Sequence, residues 1–208
     1  MPPLPIYLMD MLGVAVFAAT GALVASRKQM DLIGFALLAT VTGVGGGTLR
    51  DLLLSRQAFW IADQTYLAVC LAIAVIVYFT AHLLQRRYIA LLWMDAVGLA
   101  AYGVLGAHIA LTAGAGPLIA AALGVMTATF GGMIRDLISQ EPPLILKQEL
   151  YATAALAAAL AYLLAIGLGA PTPAAALAGI AAGFALRAGA IARGWQLPRY
   201  KPREGRKP

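Results

Sequence analysis

Charge is the first thing this chain is short of. Of its 208 residues only 12% are Asp, Glu, Lys or Arg, and nine are acidic. A water-soluble domain carries about 25% charged and about 45–50% apolar residues. Here apolar residues reach 62%, with a mean hydropathy of +0.83. So few charges cannot cover a soluble fold, which leaves the bilayer as solvent. Cysteine is the next scarcity: a single Cys excludes an internal disulfide framework and a cysteine-based metal cluster. Two His and nine acids are little material for a metalloenzyme. No nucleophile–base pair, metal-ligand spacing or phosphate loop is legible, so neither enzyme activity, nor a metal, nor a cofactor is expected. The net charge of +6 sits largely in one tail and does not mark a nucleic-acid partner.

What the chain has is long apolar runs. About 20 apolar residues at ~1.5 Å rise cross a ~30 Å hydrocarbon core. Seven runs qualify: Leu4–Ala25, Leu32–Leu49, Thr65–Leu84, Ile89–Thr112, Pro117–Ile134, Leu150–Gly169 and Pro173–Ala192. Barrel-type alternation is absent, and lipid requires each segment to satisfy its own backbone, so these are helices. Basic residues set the orientation. One side of the membrane collects eleven of them: Arg27, Lys28, Arg86, Arg87, Lys147, Arg193, Arg199, Lys201, Arg203, Arg206 and Lys207. The other side has Arg56 alone. The N-terminus is therefore expected outside and the C-terminus in the cytoplasm. The basic tail, 194–208, adds attraction to anionic membrane lipids.

The chain also repeats itself. GGTLRDL at 46–52 returns as GGMIRDL at 131–137, an offset of 85 (Arg50 to Arg135). The same offset sets Asp10 on Asp95, Gly13 on Gly98, Phe17 on Tyr102, Gly21 on Gly106, Thr42 on Thr127 and Tyr66 on Tyr151; from residue 9 to 53, 15 of 45 positions match. Matches of Ala and Leu are cheap here, but the chain has only six Asp, and four of them pair under this one offset. Each copy holds three spans. Three is odd, so the second copy enters the membrane from the opposite side. The expected fold is an all-α integral membrane protein of seven transmembrane helices: two inverted three-helix repeats (1–88 and 89–169) and a seventh helix (170–193). Such folds place a transport path at the repeat interface, near broken helices.

Two features point to that path. Gly43, Gly45, Gly46 and Gly47 lie late in span 2, and Gly131 and Gly132 lie at the matching place in span 5. Glycine permits unwound backbone whose carbonyls face an ion, though it equally permits close helix packing. A kink is the favoured reading, with Thr42 and Thr127 adding hydroxyls. Charged residues within spans default to function. Asp10, Arg50, Asp51, Asp95, Arg135 and Asp136 give four acids against two bases, a balance that favours cations. Depth along the helices predicts pairs Arg50–Asp10 and Arg135–Asp95. Neighbouring residues point ~100° apart on a helix, so Asp51 and Asp136 are expected to be left facing the water path. His82 and Arg187 read as residues reaching for the interface, His108 as a packing or interfacial residue, and Trp60, Trp93 and Trp195 as interfacial aromatics.

Seven spans with GGGTLRDLL in the second and GGMIRDLI in the fifth resemble the prokaryotic branch of the TRIC family, the trimeric intracellular cation channels. The same bacterial domain also carries a "glycine transporter" family name. The resemblance covers about residues 6–193. It implies a homotrimer in a prokaryotic plasma membrane, with one pore per protomer, permeable to monovalent cations and chiefly potassium. It maps the pore lining onto Gly43–Asp51 and Ala128–Asp136. A secondary transporter of a small zwitterion such as glycine is the alternative, since both functions fit an inverted repeat.

Overall fold

A computed structural model describes residues 4–84, 86–147 and 149–198. The expected tail Arg199–Pro208 lies outside the described residues. Among these residues eight α-helices occur: α1 (Leu4–Arg27), α2 (Leu32–Leu53), α3 (Phe59–Ala62), α4 (Thr65–Thr80), α5 (Arg87–Thr112), α6 (Pro117–Ile138), α7 (Ala152–Gly167) and α8 (Thr172–Arg193). There is no strand among the described residues, apart from one bridge between Glu149 and Gln196. Six helices among the described residues are long and apolar enough to cross a membrane; α7, with 16 residues, is shorter. Leu12, Ile33, Phe79, Leu118, Leu164 and Leu177 point outward from the bundle. Large apolar side chains on the outside of several helices suit a protein solvated by lipid. This is an all-helical integral membrane protein.

Local chemistry sets the helix ends. Asp31 caps α2, its side chain accepting from the Gly34 amide at 2.8 Å. Proline occupies the first turn of α6 and α8, where a missing N–H costs nothing. Gly194, at φ +67°, closes α8 in the left-handed conformation.

The helices form two groups of three, α1–α2–α4 and α5–α6–α7, packed internally in the same pairs. The groups meet through α1 on α5 and α2 on α6, and α8 lies against α5 and α7. The contacts across this join obey the offset of 85. Gly13 leaves the room filled by the Tyr102 ring, and Gly98 the room filled by Phe17. Each half thus supplies the aromatic that fills the other half's notch. The turns after α2 and α6 match as well, with Ser55 at φ +54° and Gln140 at +55°.

Candidate ion pathway

The helix pair α2 and α6 carries most of the expected pathway residues. The expected unwinding at Gly43–Gly47 and at Gly131–Gly132 does not occur: α2 and α6 run as unbroken α-helix through both motifs. The glycines are used for close approach instead. A Cβ on Gly46 would overlap the Thr127 carbonyl oxygen, and a Cβ on Gly131 would overlap the Thr42 carbonyl oxygen. Gly45 sits over the Gly131 Cα, which lies 3.5 Å from where its Cβ would be. Gly43 leaves space for the Cys70 thiol, and Gly47 for the Phe59 ring. The crossing is therefore main chain on main chain. Thr42 and Thr127 are buried, and each hydroxyl donates to its own helix, to Leu38 O at 2.5 Å and Leu123 O at 2.6 Å. Such back-bonding occupies the hydroxyl hydrogen and leaves its lone pairs.

The charged residues form a cluster near the C-terminal end of each of these helices. In α6, the buried Arg135 donates from Nη1 to Asp95 Oδ1 at 3.0 Å and to Thr20 Oγ1 at 2.9 Å. The expected Arg135–Asp95 pair is thus present. The expected Arg50–Asp10 pair is not. Asp10 instead accepts from two phenols, Tyr102 at 2.8 Å and Tyr66 at 3.0 Å, and forms no ion pair among the described residues.

Both arginines also bind the neighbour thought to be out of reach. Arg50 Nε lies 2.9 Å from Asp51 Oδ1, and Arg135 Nε lies 2.9 Å from Asp136 Oδ1. The 100° between adjacent residues fixes where each side chain leaves the helix, not where a long arginine stem ends. Nor do Asp51 and Asp136 face water. Both are buried, and their second oxygens accept from loop amides eight residues on, Phe59 N at 2.9 Å and Leu144 N at 3.0 Å. Each carboxylate therefore ties the following loop back onto its helix. A carboxylate in lipid needs such donors, because desolvation penalises the bare charge.

Several residues of this region are not among those the sequence marks for the site. Thr20, Tyr66, Tyr102 and Tyr151 all surround the buried acids. The offset that joins Tyr66 to Tyr151 was the available clue. Arg187, expected at the interface, is fully buried and lies 2.8 Å from Glu149. Gly183 and Gly179, one and two turns earlier on the same face, let α8 come close enough to α5 and α7 to carry it inside. His82 is exposed, and the half-buried His108 contacts the Tyr162 hydroxyl at 2.6 Å. Trp60 donates to Thr48.

Comparison with known proteins decides the family. A family model described as Glycine transporter matches the chain twice, at residues 7–82 and 92–166, with starts 85 residues apart. The crystal structure of the TRIC trimeric intracellular cation channel orthologue from Rhodobacter sphaeroides is similar at a TM-score of 0.91 and 52% identity, covering 93% of this chain and 100% of that one. The chain belongs to the prokaryotic TRIC family. A TRIC cation channel whose structure was analysed for conductance matches at a TM-score of 0.84 and 31% identity, over 95% of this chain and 98% of that one. The UPF0126 inner membrane protein YadS of Escherichia coli K12 is 43% identical over 154 residues, 72% of this chain and 73% of its own length. The structural neighbours of this TRIC family member are cation channels, not enzymes.

Proposed function

We propose that the chain is a channel for monovalent cations, potassium chief among them, with one pathway in each protomer of a homotrimer. The pathway follows the crossing of α2 and α6, along Thr42, Gly43, Gly45, Gly46 and Gly47 and along Thr127, Gly131 and Gly132. The charged clusters Asp10, Arg50, Asp51 and Asp95, Arg135, Asp136 stand at its two ends. The observation that carries this reading is the pair of buried, acid-rich clusters, each beside a glycine crossing, in a chain whose solved relatives are cation channels. Charges within a membrane are costly and mark ion pathways, and four carboxylates against two guanidinium groups favour cations.

The reciprocal contacts Gly46–Thr127 and Gly131–Thr42 support two inverted repeats, as does the doubly matching family model. We take α7 as the seventh span: it packs against α5, α6 and α8, and 16 residues reach ~24 Å, a shortfall that a bilayer meets by local thinning. The basic residues place the N-terminus outside and the C-terminus in the cytoplasm. Main chain on main chain leaves no space for an ion at the crossing, so this arrangement is shut. Conduction requires α2 to move against α6. Asp51 and Asp136, held by arginines and loop amides, stabilise the shut form in this scheme.

Planar-bilayer recording of the purified full chain in a KCl gradient tests the proposal. Unitary currents that reverse near the potassium equilibrium potential are expected. Saturable glycine uptake into proteoliposomes, with no unitary current, would establish the transporter alternative instead.

A further inference from the structure

The cluster in the second half has a neighbour that the first half lacks. Tyr66 and Tyr151 are equivalent, but their surroundings differ. The Tyr66 hydroxyl is committed to Asp10 at 3.0 Å, and its ring is met edge-on by Phe59 and Tyr7. The Tyr151 hydroxyl has no aligned hydrogen-bond partner among the described residues, and a cation covers its ring, with the Arg187 guanidinium carbon 5.2 Å from the centroid. Arg187 belongs to α8, outside both halves, so nothing in the first half can take its place.

The Tyr151 hydroxyl sits in the notch left by Gly132. A Cβ there would lie 2.9 Å from that hydroxyl, 3.5 Å from Arg135 Nη2 and 3.6 Å from Asp95 Oδ1. Arg135 Nη2 and Asp95 Oδ2 are also buried and without partners among the described residues. A phenol, able to donate to a carboxylate and accept from a guanidinium, thus shares one notch with Arg135 Nη2 and Asp95 Oδ1 and makes no aligned bond to either. On its other side, Arg187 is held by charge rather than by aligned hydrogen bonds. Its Nη1 is 2.8 Å from Glu149 Oε2, yet none of its three nitrogens makes an aligned bond. Glu149 is the partly exposed end of this chain of contacts, and its backbone bridges Gln196 beyond the end of α8. Trp195 in the same segment fills the space beside Gly189.

We propose that Arg187, tied to Glu149 and stacked on Tyr151, is a positioning residue for the ion pathway. It sets where the Tyr151 hydroxyl lies at the Asp95–Arg135 pair, and so couples α8 and residues 194–198 to opening of that cluster. This rests on the conduction reading above. Glu149 draws Arg187 toward the surface; the ring follows the cation; the hydroxyl follows the ring. The ring is needed for Arg187 to act at all, and the hydroxyl is needed for the action to reach Asp95.

The test is a double-mutant cycle in planar bilayers containing the full chain: wild type, Glu149→Gln, Tyr151→Phe and both together. Glu149→Gln is expected to change open probability about fivefold, with unitary conductance and reversal potential unchanged. In the Tyr151→Phe background the same change is expected to have no further effect. Glu149→Asp, which keeps the charge, is expected to restore most of the wild-type open probability; Arg187→Lys, which keeps a cation beside Glu149 but no flat face on the Tyr151 ring, replaces Glu149→Gln in the cycle if the latter does not fold. An unchanged open probability, or equal effects in both backgrounds, would overturn the coupling while leaving the channel reading intact. A wild type without unitary current would overturn the channel reading itself.

Discussion

Replacing Gly46 with Ala puts one methyl group where α6 presents a main-chain carbonyl. The Thr127 oxygen cannot rotate away, so the helices must part by on the order of 1 Å. A gap of 0.5–1 Å forfeits about a quarter to a half of each dispersion contact along the crossing. Overpacking of this kind costs about 1–3 kcal/mol, and a rigid carbonyl puts Gly46 at the upper end. Against this stands a helix-propensity gain of about 0.5–1 kcal/mol for Gly→Ala. The net expectation is a loss of about 2 kcal/mol, or about 4–8 °C in melting temperature for a chain this size. Gly45→Ala is the control one residue away. Its Cβ would meet the Gly131 Cα and the Ile134 Cδ1 at an ordinary 3.5 Å, so the propensity gain survives and the melting temperature holds or rises. Gly131→Ala should behave as Gly46→Ala does, because its Cβ overlaps the Thr42 carbonyl oxygen. The double variant should lose less than the sum, since one separation relieves both overlaps. Thermal melting in detergent, followed by the surviving size-exclusion peak, measures all four. Equal melting temperatures for Gly46→Ala and Gly45→Ala would refute the main-chain crossing.

Asp95→Asn takes one of two carboxylates from the fully buried Arg135 and leaves Asp136, so a loss of about 3 kcal/mol, the lower end for a broken buried pair, should show as a lower folded yield. Asp10→Asn keeps one acceptor oxygen for one phenol, lets its amide donate to the oxygen of the other and strands no cation, so its yield should stay close to wild type. Asp63, in the exposed turn before α4, is held below the usual carboxylate range by Thr65, through its hydroxyl and its amide, and by Tyr7. A depressed folded value stabilises above the unfolded value near 4 and is lost as pH falls through the folded one; Asp63→Asn should flatten the acid limb of the melting profile. A C-terminal reporter active only in the cytoplasm should report; activity of a periplasmic reporter there would refute the orientation. Native mass measurement in detergent should find three chains, and a conducting monomer or dimer would refute the trimer.

Much of this architecture is legible in the sequence because lipid imposes it. Apolar run lengths place the long helices within a few residues: Leu32–Leu49 was expected where α2 runs Leu32–Leu53, and Leu150–Gly169 where α7 runs Ala152–Gly167. The offset of 85 survives because Asp and Arg are too rare here to match by accident. The site was harder to read. Glycine used for unwinding and glycine used for close approach look identical in a string, and only the partner helix distinguishes them. A helical wheel gives the direction in which Arg50 and Arg135 leave the backbone, but their stems reach far enough to return to the next residue. Asp10 and Asp95 match in sequence yet differ in partners, because Arg50 stays with Asp51 while Arg135 serves both Asp136 and Asp95.

Where Gly46 meets Thr127 and Gly131 meets Thr42, the crossing of α2 and α6 is main chain against main chain, and main chain has no rotamers. Ordinary helix interfaces relax under load by letting side chains hop between staggered wells. This one has no such soft coordinate. Sliding along either axis drives a carbonyl into a Cα, and parting loses every contact at once. What remains is rotation of one helix about the contact point, the motion of a pair of scissors about its rivet. The arginine–aspartate clusters lie four and five residues from the rivet, about 6–7 Å along each blade at ~1.5 Å per residue, so a turn of ~10° moves the charges by about 1 Å, enough to break their hydrogen bonds.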